Sequence, residues 1–109
     1  MNLFIQAAAE EDILRQVEWY AEQGLPHIAE RFHGAVMDAI DRICDMPEAG
    51  PQRPTRNRRL AGLRAWPVKG FDEFWIYYLV RRDVLTIARV LHSKRDVASI
   101  LRDQAVDEP

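Results

Sequence analysis

The stretch RVLHSKRD, Arg89 to Asp96, gathers three basic side chains and a histidine directly after the apolar run LTIA. Residues of these types could cut RNA through its own 2′-OH. That reaction needs a base for the hydroxyl, positive charge for the phosphorane and an acid for the leaving oxygen. His92 could act as acid or base, and Arg89, Arg95 or the more distant Arg64 could stabilise charge. The set is thin. His92 has no carboxylate to orient it except Asp96, four residues on. The three tyrosines, Tyr20, Tyr77 and Tyr78, all occupy positions that packing explains.

The same cluster also reads as structure and docking surface. Strand alternation puts Arg89 on the face of Leu85, Ile87 and Leu91. A guanidinium beside apolar residues needs an acid, either Asp96 or one from the first half of the chain. His92 shares the face of Thr86, Ala88 and Val90 and can cap the strand end by bonding backbone. Lys94 and Arg95 are then free to meet carboxylates of a target or partner. His27 and His33 are too scattered for a metal site, and the single Cys44 lacks metal-site spacing. No metal and no cofactor are expected.

The elements that must hold this cluster follow from periodicity. NLFIQ, residues 2–6, reads as a strand. Ile13, Val17, Tyr20 and Ala21 recur at helical spacing between Ala8 and Gln23. Glu10, Glu11 and Asp12 favour the dipole of its first turn, and Gly24 ends it. Pro26 opens a second helix with the stripe Ala29, Phe32, Val36, Ile40 and Ile43, which Pro47 stops. So short a connection makes the two helices an antiparallel hairpin. Residues 47–60 form a loop rich in proline and arginine. Strands are expected over 62–69, 74–80 and 84–92, with Arg81 to Asp83 as a tight turn and Pro67 confining its strand to an edge or a bulge. Asp96 caps a short helix over 96–103. The expected fold is α+β: an N-terminal strand and an antiparallel helical hairpin packed on a small antiparallel sheet, in the order β-α-α-β-β-β. It forms one domain over 1–103, with 104–109 as a disordered tail.

Two features point to partners. Phe74, Ile76, Tyr78 and Val80 line one face of the 74–80 strand, while Trp75, Tyr77 and Leu79 line the other. The helix hairpin covers one face, so the other is expected to be covered by a foreign polypeptide. Charge is also segregated. Residues 1–50 carry three basic side chains against ten acidic ones, and residues 51–95 carry eleven against three, in a chain of net charge -2. Such a split suggests two partner-facing surfaces of opposite sign. The start, MNLFIQAAAEED, has no basic n-region, and no run approaches the length of a membrane span, so a cytoplasmic protein without membrane contact is expected. Arg53, Arg56, Arg58 and Arg59 raise the possibility of DNA binding, but no reading motif accompanies them.

DILRQVEWYAEQG, FHGAVMDAIDRICDMPEAG, LRAWPVKGFDEFWIYYLV and RVLHSKRD together resemble the RelE/ParE superfamily of toxins from type II toxin–antitoxin systems, most closely its ParE branch. The resemblance spans residues 2 to about 101. The P-x-x-G after the second helix, the F-x-x-x-x-x-Y run and the R-V-L-H-x-x-R-D ending are specific in combination. QAAAEED departs from the Ser-Pro that often precedes the first helix in the family. The resemblance implies a non-enzymatic inhibitor of DNA gyrase, neutralised by a ParD-like antitoxin in a hetero-oligomer, with DNA contacted only through the antitoxin. Target contacts are then expected at Arg81, Arg82, Lys94 and Arg95, and antitoxin contacts at Trp66, Trp75, Tyr77 and Arg64. The alternative is a RelE-like, ribosome-dependent messenger RNA endoribonuclease using Arg64, Arg89, His92 and Arg95. That branch commonly places a tyrosine after the last strand, where this chain has none.

Overall fold

In the computed structural model, which describes residues 1–109, the expected periodicities become β1 (Asn2–Ile5), α1 (Ala7–Glu22), α2 (Pro26–Asp45), β2 (Arg64–Pro67), β3 (Phe74–Arg81), β4 (Val84–His92) and α3 (Val97–Arg102). A single 3₁₀ turn, Arg58–Leu60, interrupts the long loop. Pro26 stands in the first turn of α2, and Gly24 adopts φ +75° between the helices, as a left-handed helix end requires. Asp96 caps α3, its carboxylate accepting from the Ser99 N–H.

The sheet runs β1-β4-β3-β2. The last three strands form the expected antiparallel meander, and β2, with Pro67 as its final residue, is an edge. The sheet as a whole is mixed, however, because β1 pairs with β4 in parallel. The helix hairpin separates β1 from the meander, and a long connection of this kind permits parallel pairing where a tight turn cannot.

Each face of the sheet has its own core. The hairpin packs Ile13, Phe32, Val36, Ile40 and Ile43 against Ile76, Tyr78, Leu85 and Ile87. On the other face Tyr77, Leu79, Ala88 and Leu91 are covered by Leu60 and Leu63 of the loop and by Val97 and Leu101 of α3. The expectation that a foreign polypeptide must cover that second face is overturned. The chain covers it with segments too short and too polar to announce themselves as core.

Residues 104–109 also depart from the frayed tail expected of them. Gln104 Nε2 donates to the Ala88 carbonyl, and Val106 packs on the second core. The Gln6 side chain, only 1% exposed, clasps the Asp107 backbone from both sides, at 3.0 and 2.7 Å. Helix α1 opens with no capping side chain of its own, and Asp107 Oδ2 accepts from the Ala7 N–H at 3.2 Å. A helix cap is thus supplied from a hundred residues away. Gln6→Ala removes both clasping bonds and loosens the cap, and is expected to cost about 2 kcal/mol of unfolding free energy in denaturant titration.

The β3–β4 turn is strained. Arg82 and Asp83 both adopt left-handed backbone, at φ 52° and 62°. A two-residue turn between twisted antiparallel strands demands this; aspartate is among the residues that adopt it readily, whereas arginine is not. Arg82→Gly is expected to raise stability by about 1 kcal/mol, seen as a higher melting temperature, with glycine's looser unfolded state offsetting part of the relief.

Candidate functional site

Beta-strand alternation fails in β4 at one place. Tyr77 pairs with Arg89 and Tyr78 with Ile87, so Ala88 is an extra residue, a β-bulge. Past the bulge the faces shift by one. Leu85, Ile87 and Val90 reach the hairpin core, whereas Ala88 and Leu91 reach the other. Arg89, opposite Tyr77, therefore shares a face with Leu91 as expected but not with Leu85 and Ile87, and His92 does not share one with Ala88. His92 instead lies edge-on to Phe74, ring centroids 5.1 Å apart.

Arg89 meets an acid from the helical half. Its Nε and Nη2 donate to the two Asp12 carboxylate oxygens at 2.7 Å each, and Asp12 Oδ2 also accepts the Val90 N–H at 3.0 Å. The side chains are 14% and 4% exposed. Asp96, the other candidate acid, is occupied in capping α3 through both the Ser99 N–H and hydroxyl. Those bonds hold its carboxyl below the usual carboxylate range.

His92 Nδ1 accepts the Lys94 N–H at 3.1 Å, which places its proton on Nε2, 3.0 Å from Glu73 Oε2. This is the expected backbone cap of the strand end, with an added carboxylate. Neither ring nitrogen keeps a free lone pair for a substrate proton. Arg95 lies with His92, Asp12, Arg15 and Gln16 around a cavity of about 80 Å³, too small for a nucleotide.

Arg64 is elsewhere. It sits opposite Tyr78 while His92 sits opposite Phe74, four residues apart on β3, or roughly 13 Å. Its guanidinium donates to the Glu48 and Gly50 carbonyls at 2.9 and 2.8 Å. The Tyr78 hydroxyl donates to the Pro47 carbonyl at 2.9 Å and accepts the Gly50 N–H at 3.1 Å. Burial raises the Tyr78 phenol pKa, with the Gly50 N–H and Arg64 offsetting part of the rise. Tyr77 is raised by burial too, opposed by Arg53, which lies over its ring at 5.4 Å. Both stay neutral phenols at physiological pH and cannot serve as bases.

The expected docking residues are divided as well. Arg81 and Arg82 stand at one end of β4, and Lys94 and Arg95 follow the other, about 26 Å away along the strand. Trp66 packs against the hairpin core and Trp75 against the opposite one, so they share no surface. Tyr77, 1% exposed, is not available to a partner in this fold. Large apolar side chains are exposed instead at Met1, Leu3, Leu14, Trp19, Leu25, Met46 and Val80. Periodicity could not have exposed the roles of Asp12 and Gln6, because their partners lie 77 and 101 residues away. No helix is long and apolar enough to cross a membrane.

Comparison with known proteins decides the lineage. The model of the ParE toxin of type II toxin–antitoxin systems (parDE) matches residues 3–97. The chain belongs to the ParE toxin family. Among solved structures it is similar to a chain of the chromosomal ParDE toxin–antitoxin system from P. aeruginosa, with a TM-score of 0.69 at 17% identity, covering 84% of this chain and 95% of that one. At that identity the likeness shows the fold alone. No curated protein matches it. Within the ParE family, the P-x-x-G motif of this chain has a physical meaning. Pro47 and Gly50 are the backbone anchors that Tyr78 and Arg64 hold against the sheet.

Proposed function

We propose that this ParE-family toxin inhibits DNA gyrase by binding, without catalysis, and is silenced in the cytoplasm by a ParD-like antitoxin. The observation that carries the non-catalytic part is the commitment of the nuclease candidates. Arg89 is taken by Asp12, Arg64 by two carbonyls, and both ring nitrogens of His92 by Lys94 and Glu73; of the four, only Arg95 is free. Poisoning by binding needs surface complementarity and no proton transfer, so such commitments cost it nothing. The gyrase target rests on family membership.

The antitoxin reading shifts from the tryptophans to the β1 edge. Segment 51–53 already bonds to the outer side of β2 and its approach, through Ala65 N–H to Pro51 O and Arg53 N–H to Leu63 O. Strand β1 pairs only with β4, which leaves its outer edge for an added strand. Leu3 and Val80 flank Leu85 in one row across three strands, and both are exposed. They offer apolar anchorage beside that edge.

Purified toxin would be added in parallel to a gyrase supercoiling reaction and to programmed ribosomes. Loss of supercoiling with intact transcript, reversed by antitoxin, is the expected result. Transcript cleavage at the ribosomal A site with gyrase untouched would reverse the assignment. Leu3→Asp is expected to weaken antitoxin binding at least tenfold in calorimetry while leaving gyrase inhibition in place.

A further inference from the structure

The cover of the second sheet face has an outer surface, and it is made of arginine. Arg53, Arg56 and Arg102 line a cavity between the loop and α3. Arg59, Arg81 and Arg82 line the neighbouring one, at the β3–β4 turn. Arg58 stands exposed in the short loop segment joining them. Three of these side chains have tasks: Arg53 stacks on Tyr77, Arg81 donates to the Ala61 carbonyl, and Arg102 pairs with its neighbour Asp103. The guanidinium groups of Arg56, Arg58, Arg59 and Arg82 have no hydrogen-bonded or ion-paired partner, and all four residues are exposed.

Carboxylates near this face do not quench it. Asp107 is held at the start of α1, and Asp103 is taken by Arg102. Asp83, beside Arg82, lies 4.0 Å from the Met1 ammonium, which leaves Glu108 as the side-chain carboxylate without a partner in the second cavity. Nine of the ten acids of residues 1–50 belong to the helix hairpin, on the other side of the sheet. The fold thus converts a charge split along the chain into a charge split across the molecule.

We infer that this arginine face binds the phosphate backbone of duplex DNA without reading its sequence. Four observations select that partner. The free cations are all arginines, whose guanidinium forks fit phosphate oxygens. The apolar residues beneath them, Leu60, Leu63, Val97 and Leu101, are buried, so a protein partner finds no apolar anchor there. None of the exposed large hydrophobics lies in 51–63 or 96–109, so no aromatic platform awaits the bases of a single strand. Finally, Arg82 is kept at a left-handed position where asparagine or glycine would cost less, as expected where a side chain is retained for use and not for folding.

The inference is independent of the gyrase assignment, because naked DNA tests it. Full-length protein would be titrated into a labelled 20-base-pair duplex of arbitrary sequence, read by fluorescence anisotropy from 50 to 300 mM KCl. Four free guanidiniums predict a log–log salt slope of about -3.6, with dissociation constants of roughly 1–100 μM near 100 mM salt. Arg56→Gln with Arg59→Gln is expected to reduce that slope by about 2. Arg31→Gln with Arg42→Gln changes net charge equally but on α2, and is expected to leave the slope unchanged. All four side chains are exposed, and circular dichroism would verify folding. No binding at 50 mM salt, equal loss from both double variants, tighter binding of single-stranded RNA, or equal binding of polyglutamate would each overturn the inference.

Discussion

Asp12→Ala is expected to destabilise the fold by about 4 kcal/mol, lowering the melting temperature by roughly 15 °C or more. The carboxylate is 4% exposed and serves three donors, two from Arg89 and one from the Val90 backbone. Truncation leaves a guanidinium only 14% exposed without its counter-charge, and a strand N–H without an acceptor. The penalty comes mainly from these abandoned groups and not from the intrinsic worth of the pair. Asp12→Asn should therefore cost less, since its carbonyl oxygen can still accept one of the bonds. Asp12→Leu with Arg89→Met should recover much of the loss by removing both charges together. The cycle also separates the two readings of Arg89. If Arg89 is structural, the folded double variant still inhibits gyrase. An Arg89 variant that stays folded yet loses transcript cleavage would restore it to a catalytic role.

The Arg89–Asp12 pair also shows where sequence reasoning reached and where it stopped. An arginine in an apolar strand demands an acid, and the helical half is one of two segments that can supply it. Its identity was not legible, because Asp12 reads as one of three acids favouring the start of the helix, although α1 begins at Ala7 and has only Glu10 in its first turn. The faces of β4 were legible as far as Ile87 and failed beyond it, since a single unpaired Ala88 inverts every later assignment. No local pattern marks that bulge. Helix and strand positions followed closely because the apolar periods of 3.6 and 2 are long enough to be unambiguous there. The second core was illegible for the opposite reason. Its lid consists of Leu60 and Leu63 amid arginines, six residues of α3 and the lone Val106, and none of these is long enough to carry a period. The tail's polar residues looked unanchored because their partners, Gln6 and Ala88, are paired with them only in three dimensions.

Gly50→Ala carries the second large expected effect, about 3 kcal/mol or more, and its cause is entirely steric. Gly50 is buried and has no left-handed backbone to excuse it. A methyl group added there would collide with the Tyr78 hydroxyl and stand 2.5 Å from the Ala65 carbonyl oxygen. The first obstacle is the end of a side chain, but that hydroxyl is pinned between Pro47 and Gly50. The second is backbone of β2, fixed by pairing with Tyr77 and by its own N–H to Pro51 O. Neither can yield without moving the loop off the sheet. Tyr78→Phe added to Gly50→Ala removes the hydroxyl and leaves the carbonyl, so rescue should be partial. Tyr78→Phe alone tests the bonds without the clash and should cost only about 1–2 kcal/mol, the loss of a buried donor and acceptor pair. If Gly50→Ala melted within a degree of wild type, the close approach of loop to sheet would be wrong. The clamp that ties Arg64 to the Glu48 and Gly50 carbonyls would then be wrong as well.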